Sequence, residues 1–217
     1  MGGRFDKPTS NTTSDTEEEA TSTKGIKSDL AIFLDGGIIN INAEGDGIDS
    51  NGNLTITGGE SYVCGPSNSG NGALDYGGTA TISGGTLVAV GASGMALGMS
   101  DSSTQGSMLV NLSANQNAGM ITLANSSGAE LLSYENVKNY NSILISCPEI
   151  KVGETYTLTT SGTITEIQMT SLTYGSSGNG MGGFGGGRGK DGGFGGDHGN
   201  KNNNIGIPNG GQIPNKK

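Results

Sequence analysis

The sequence predicts an all-β protein in which a repeated unit stacks into a parallel β-helix. Three observations lead to this fold class. Glycine accounts for 42 of the 217 residues and only 31% are hydrophobic, which is too little for a thick core along the whole chain. An internal repeat runs through the first half of the chain. Each copy alternates apolar and polar residues with period two, and none shows the 3.6-residue period of a helix.

The repeat has three copies, GIKSDLAIFLDGGIININA from Gly25, GIDSNGNLTITGGESYVCG from Gly47 and ALDYGGTATISGGTLVAVG from Ala73. The steps between equivalent residues are 22 and 26, and the additional residues fall in GPSNSGNG. The Gly-Gly pair in each copy would break a helix, so each copy is predicted to form short strands joined at tight corners. A fourth copy is expected to begin at GMALG, with Met95.

Stacked copies place equivalent residues in columns across the strands. Four columns are expected to face the core: Ile32–Leu54–Ala80, Leu34–Ile56–Ile82, Ile39–Ser61–Leu87 and Ile41–Val63–Ala89. The outward columns hold mostly Thr, Ser, Asn and Asp, as in Asp35, Thr57 and Ser83. Neighbouring copies then supply each other's backbone hydrogen bonds and a thin continuous core.

The chain is predicted to have four parts: a disordered acidic segment 1–24, β-helix copies 25–100, a β-rich cap 101–174 and a disordered Gly/Asn-rich tail 175–217. Strand candidates in the cap include Met108–Leu112, Met120–Leu123, Ser142–Ser146 and Glu154–Thr159. Their spacing predicts antiparallel pairs that close one end of the stack. No such cap precedes the first copy, so further N-terminal β-helix turns or another chain are expected to cover it.

The net charge and the spacing of the cysteines indicate which kinds of ligand the protein can bind. Residues 25–174 hold 13 acidic residues and three lysines, a net charge of −10, which argues against nucleic acid and suits a cation or a cation-bridged acidic partner. The sequence contains no apolar run long enough to span a bilayer and no signal peptide. Cys64 and Cys147 have no metal-ligand spacing and are expected to be two free thiols rather than a disulfide.

A cation site is predicted where acidic residues repeat. Asp49 and Asp75 occupy one outward column, so their carboxylates are expected to face each other across a strand spacing of about 4.8 Å. Like charges at that distance raise a pKa or recruit a cation. Asp46, Asp49, Asn51 and Asp75, with backbone carbonyls, are the candidate calcium ligands. In the alternative, Lys27 pairs with Asp49, and the Asp and Asn side chains make turn hydrogen bonds.

Two local calcium motifs are not supported. Asp49, Asn51, Asn53 and Glu60 match an EF-hand loop in spacing, but Leu54 stands where that loop needs glycine. GDGID matches part of a calcium-binding nonapeptide, but no nine-residue repeat follows it.

The motifs GDGIDSNGNLTITGG, GGTLVAVGASGMA, SSTQGS and SCPEIKVGETYTLTTSG, spread over residues 25–174, resemble the C-terminal half of a known family. These are secreted bacterial carbohydrate-binding proteins built on a pectate-lyase-like right-handed parallel β-helix. The Gly-rich GMGGFGGGRG is similar to low-complexity segments of that family. The resemblance implies an extracellular or cell-surface location, bound calcium and binding of plant-type polysaccharide. The chain departs from the family in lacking the upstream turns and in having Lys27 where the other copies carry Asp.

Three residues are candidates for sugar contact: Tyr62, Tyr76 and Asn71. Tyr62 is in the outward register of its strand and Tyr76 follows Asp75, so the two rings are expected to form a small platform or, in the alternative, to be ordinary strand and turn tyrosines. Lyase chemistry needs a basic residue near a metal, and residues 25–174 contain no Arg. Hydrolysis needs two carboxylates about 5 to 9.5 Å apart.

These observations support three hypotheses. The first is non-catalytic, calcium-assisted binding of plant cell-wall polysaccharide outside a bacterial cell. The second is a structural surface protein or adhesin, and the third is a polysaccharide lyase or hydrolase.

Overall fold

The structure, a computed structural model, describes residues 23–175 of the 217. The predicted terminal segments 1–24 and 175–217 lie outside the described residues except at Thr23, Lys24 and Gly175. Each of the three repeat copies forms three short strands. They are β1 (Ile26–Ser28), β2 (Ile32–Leu34), β3 (Ile38–Asn42), β4 (Ile48–Ser50), β5 (Leu54–Ile56), β6 (Glu60–Cys64), β7 (Leu74–Tyr76), β8 (Ala80–Ile82) and β9 (Thr86–Gly91).

Equivalent strands of the three copies pair in parallel. β1, β4 and β7 form one sheet, β2, β5 and β8 form a second, and β3, β6 and β9 are neighbours in a third. The register confirms all four predicted core columns: Ile32–Leu54–Ala80, Leu34–Ile56–Ile82, Ile39–Ser61–Leu87 and Ile41–Val63–Ala89. Equivalent residues of the three copies are therefore neighbours across each sheet, because every copy has the same alternation of apolar and polar side chains.

Within residues 23–175, seven strands follow the repeat: β10 (Ser107–Gln116), β11 (Gly119–Asn125), β12 (Glu130–Asn136), β13 (Tyr140–Ser146), β14 (Thr155–Thr159), β15 (Ile164–Gln168) and β16 (Thr173–Tyr174). Three of the predicted strand candidates lie within β10, β11 and β13, the fourth matches β14 except at Glu154, and the predicted antiparallel pairing is confirmed.

The predicted fold class, a right-handed parallel β-helix with an antiparallel cap, is wrong. The protein is all-β, but its sheets are of mixed orientation. In the six-stranded sheet, ordered β16–β10–β13–β9–β6–β3, strand β13 is antiparallel to both of its neighbours. The four-stranded sheet, ordered β12–β11–β14–β15, is antiparallel throughout.

The reason for the difference lies in β9, which is apolar on both faces. Leu87 and Ala89 pack in the core between the repeat copies, as predicted. Val88 and Val90 point the other way and are buried in a second core, formed with Ile121 and other residues of the four-stranded sheet. A strand that is buried on both faces has a continuous run of apolar residues. The second apolar face of β9 packs against the four-stranded sheet.

The predicted fourth copy forms no strand. Met95 belongs to a single 3₁₀ turn, Ser93–Met95. Beyond it the chain runs beside β8, and the hydroxyls of Ser100 and Ser103 accept hydrogen bonds from the amides of Ala80 and Ile82 at 3.1 and 3.2 Å. Side-chain oxygens thus satisfy strand amides that a further strand would have bonded.

The opposite side of the stack ends at the first copy. Strands β1, β2 and β3 are each the last strand of their sheet within residues 23–175. The core residues Ile26, Ile39 and Ile41 are only partly buried there, whereas Ile48 and Val63 of the second copy are inaccessible to solvent.

Candidate functional site

The outer face of the sheet β2–β5–β8 carries the most exposed aromatic side chain of the described strands. Phe33 lies in β2 between Ile32 and Leu34, which point into the core, so its own ring points outward and is 67% exposed. Thr55 and Thr81 are in register with it on β5 and β8. An aromatic ring is thus followed by two hydroxyl side chains across the sheet.

A second row of polar side chains runs parallel to the first: Asp35, Thr57 and Ser83, all exposed. The Thr57 hydroxyl donates a hydrogen bond of 2.7 Å to Asp35 Oδ1. We call the two rows together, Phe33–Thr55–Thr81 and Asp35–Thr57–Ser83, the platform. Parallel neighbours lie about 4.8 Å apart, so each row repeats at that spacing.

Stacked glycine pairs position the platform. Gly59 adopts φ = 78°, a conformation that favours glycine, and a Cβ there would lie 2.6 Å from the carbonyl carbon of Gly36. The chain therefore turns sharply after β2, β5 and β8 at the same place in each copy, which keeps the three short strands aligned.

Phe33 was not among the residues predicted to contact sugar, although the signal was present. The alternation Ile–Phe–Leu in β2 places Phe33 in an outward column whose other members are Thr55 and Thr81. Phe33 is thus a large apolar side chain in an exposed column whose other members are polar, and this difference is the informative feature.

The structure brings the predicted acidic residues together on another sheet. Lys27, Asp49 and Asp75 are in register across β1, β4 and β7, as the repeat predicted. Asp46 lies beside them at the start of the second copy, and its Oδ1 accepts a hydrogen bond of 2.8 Å from the Gly72 amide.

Two lysines form ion pairs with Asp46 and Asp49 of this cluster. Asp49 is only 2% exposed, and its Oδ2 receives hydrogen bonds from Lys24 and, at 3.1 Å, from Lys27. The Lys24 ammonium also lies 3.1 Å from Asp46 Oδ2. Burial alone would raise the pKa of Asp49, but hydrogen bonds and charge from the two lysines outweigh it and hold that pKa below its ordinary value.

Asp75 differs from Asp49 in that no lysine of residues 23–175 forms an ion pair with it. Burial, followed by the charges of Asp46 and Asp49, raises the pKa of Asp75 above its ordinary value. The surroundings of Asp75 thus disfavour its ionised form.

The acidic cluster as folded does not fit calcium. Calcium needs six to eight oxygen ligands, whereas ammonium groups contact Asp46 and Asp49 here. Within residues 23–175 no three Asp, Glu, His or Cys side chains are grouped as metal ligands. Asn51, the fourth candidate, donates its amide to Asp29 Oδ1 at 3.2 Å. The arrangement favours the alternative in which Lys27 pairs with Asp49.

The candidate sugar-binding residues Tyr62, Tyr76 and Asn71 are not brought together. Tyr62 lies in the six-stranded sheet and stacks on Tyr134 of β12, with ring centroids 5.6 Å apart and an interplanar angle of 10°. Tyr76 packs on the core of the repeat and donates its hydroxyl to Gly98 O at 2.6 Å. Asn71 is half-buried and precedes Gly72, whose amide donates to Asp46.

The two cysteines are free and buried, as predicted. Burial is the main cause that raises the pKa of Cys147, to about 11, so this thiol is protonated and unreactive at neutral pH. Among the described residues no helix has the length and apolar character needed to cross a bilayer.

Comparison with known proteins points to sugar binding. Residues 2–72 match the model of a family described as "Carbohydrate-binding domain-containing protein". The matched stretch includes the first two repeat copies and therefore Phe33, Asp35, Thr55 and Thr57 of the platform. It supports carbohydrate binding and favours a non-catalytic role. No curated protein and no solved structure matches significantly.

Proposed function

We propose that the protein binds an extended carbohydrate chain on the platform, with Phe33 stacked on one sugar ring. The observation that carries the proposal is the outward, 67% exposed ring of Phe33 within the stretch matched by the carbohydrate-binding family. An aromatic ring that points outward from a flat sheet is suited to cover the apolar face of a pyranose ring.

The polar side chains beside Phe33 suit the rest of a sugar. Thr55 and Thr81 follow it across the sheet, and Asp35 and Thr57 lie in the adjacent row, so hydroxyl and carboxylate groups line one side of a chain that runs along the Phe33 row. Because the strands are parallel and in register, these groups repeat at a regular spacing, as do the hydroxyls of a polysaccharide. A flat periodic surface is better matched to an extended chain than to a compact small molecule.

Calcium assistance, a plant cell-wall polysaccharide as ligand and a location on the cell surface or outside the cell stay predictions from the resemblance. The net charge of −10 over residues 25–174 supports a cation-bridged acidic polysaccharide. The lysine contacts of Asp46 and Asp49 mean that calcium at these carboxylates would have to displace Lys24. Coverage of the first copy by further strands or another chain also stays a prediction, supported by its partly exposed core residues.

Binding of insoluble cellulose and of pectin by Phe33→Ala tests the proposal. The platform predicts a loss of affinity of about tenfold or more, since stacking and burying an aromatic ring contributes about 1.5 kcal/mol or more. Ile38→Ala is the matched control, because Ile38 is 70% exposed but lies on β3, in the six-stranded sheet. Each assay is run in calcium and in EDTA.

Both variants are expected to melt like the wild type, because neither side chain is buried. Retention of the wild type by neither polymer would contradict carbohydrate binding of this class. Equal binding by wild type and Phe33→Ala would remove the platform as the site.

A further inference from the structure

The second row of the platform continues beyond β8. The amides of Thr57, Ser83 and Thr104 donate to the carbonyls of Leu34, Ile56 and Ile82 at 2.9, 2.9 and 3.1 Å. Thr104 therefore takes the position that a fourth copy would give it, although its segment forms no strand. Four exposed side chains thus form one row: Asp35, Thr57, Ser83 and Thr104.

The row ends in an open pocket of about 250 Å³. Ser83 and Thr104 form part of its lining, with Gln105, Ile150, Lys151 and Leu172. Pockets for drug-sized ligands run from about 300 to 1,000 Å³, so this volume suits a smaller group such as a single sugar ring. The lining exposes more polar than apolar surface, which suits a ligand rich in hydroxyl groups.

The wall of the pocket is held by hydrogen bonds of its own. Gln105 is almost buried, and its Nε2 donates to Gly85 O at 2.9 Å and to Ser146 Oγ at 2.8 Å. The Lys151 amide donates to the Tyr156 hydroxyl at 2.7 Å, and that hydroxyl donates to Glu149 O at 2.9 Å. Both sides of the pocket are thus fixed before any ligand arrives, which reduces the entropic cost of binding.

Lys151 supplies an ammonium group that the fold does not use. In the part of the chain that the structure describes, Lys27 and Lys138 each form ion pairs and Lys151 forms none. Lys27 contacts Asp49, and Lys138 bonds Ala43 O and Glu44. A lysine with three donors at a pocket lined by hydroxyls can bond oxygen atoms of a ligand.

We propose that this pocket is the end subsite of the carbohydrate site, where Lys151 and Thr104 donate hydrogen bonds to oxygen atoms of the last bound sugar residue. The inference rests on the proposed function, since it assigns the pocket to the same chain that stacks on Phe33. Phe33 lies on the first copy and Thr104 at the fourth position, so the two ends are about 14 Å apart at the parallel strand spacing. An oligosaccharide of three or four residues is needed to reach both.

Calorimetric titration with oligosaccharides of two to six residues, from cellulose and from polygalacturonate, tests the subsite. Wild-type affinity is expected to rise with length up to about four residues and then level off, as the platform and the pocket become filled. Lys151→Met is expected to bind the longer oligomers about tenfold more weakly, the effect of losing one hydrogen bond to a charged group, and to bind disaccharides unchanged. Thr104→Val should show a smaller loss of the same length dependence.

Lys27→Met is the control for loss of an exposed ammonium on a different sheet; because it also breaks the ion pair with Asp49, its melting curve is recorded beside its affinity. If Lys151→Met loses affinity for both oligosaccharide series, the oxygen that accepts the hydrogen bond of Lys151 is a hydroxyl oxygen. If it loses affinity only for the galacturonate series, that oxygen belongs to a carboxylate. Unchanged affinity of Lys151→Met for every long oligomer would overturn the subsite, while a loss by Phe33→Ala in the same titration would keep the proposed function. If Phe33→Ala is unaffected and Lys151→Met is not, the platform fails and the pocket is not its end subsite.

Discussion

The Lys27 ammonium lies 3.1 Å from Oδ2 of Asp49, a carboxylate that is almost wholly buried on the sheet β1–β4–β7. The two residues are direct neighbours in the register of the first and second copies. In the third copy the same column holds Asp75, with which no lysine of the described part of the chain forms an ion pair. One column therefore contains two carboxylates whose pKa values are displaced in opposite directions.

Asp49→Asn should destabilise the protein by about 2 kcal/mol at neutral pH, the range for hydrogen bonds to a charged group. The lowered pKa of Asp49 means that its contribution is fully present above its ordinary value of 3.8 and is lost as the pH falls through the lowered value. The difference in melting temperature between wild type and variant should therefore be largest from pH 5 to 7 and shrink below pH 4. Asp29→Asn is the control, since Asp29 is exposed and 4.0 Å from Lys27. A pH-independent difference would contradict the assignment.

Asp75→Asn should stabilise the protein at pH 7. Because the pKa of Asp75 is raised, its ionised form costs stability above the raised pKa, and this cost disappears as the pH falls toward the ordinary value of 3.8. The gain in melting temperature should shrink accordingly between pH 7 and pH 4. Glu166→Gln, at an exposed position on β15, should leave the melting temperature unchanged. A loss of stability in Asp75→Asn at pH 7 would show that its carboxylate is bonded to a cation instead.

Lys24→Met should increase the effect of calcium on the melting temperature. The Lys24 ammonium contacts both Asp46 and Asp49, so in the wild type any divalent cation would have to compete with it for the same oxygens. A ligand that binds only the folded state raises its stability, and removing the competitor should enlarge that rise. Melting curves in calcium chloride and in EDTA, for the wild type and the variant, measure it. The same calcium shift in both proteins would place any bound calcium elsewhere.

Gly59→Ala should cost more stability than Gly37→Ala. Both glycines have positive φ, 78° and 81°, so either substitution carries the cost of a left-handed residue, about 1–2 kcal/mol. A Cβ on Gly59 would also meet the backbone of Gly36 at 2.6 Å, whereas a Cβ on Gly37 has no atom of the described chain within 4 Å. Urea denaturation of both variants compares the costs. Equal losses of stability in the two variants would indicate that another segment or another chain contacts Gly37 at the edge of the first copy.

Much of the repeat could be read from the sequence. The period-two alternation and the repeat steps predicted the columns Ile32–Leu54–Ala80 and Leu34–Ile56–Ile82 and the facing of Lys27, Asp49 and Asp75. The strands after Ser100 were predicted from the spacing of the strand candidates and the turns between them. Local alternation decides which face of a strand is buried, and similar copies stack in register. The same alternation also predicts that Phe33 points outward.

The sequence by itself therefore determined the all-β character, the parallel register of the three copies and the outward columns from which the platform is built. Only the tertiary structure decided the mixed sheets, because the pairing of β9 with β13 joins Gly91 to Ser142 across 51 residues and leaves no periodic trace between them. It also placed Tyr62 against Tyr134 and Lys24 against Asp46 and Asp49, since such contacts depend on which distant segments share a face. Short-range patterns specify the face that a strand buries, whereas the partner that covers that face is selected by packing over the whole chain.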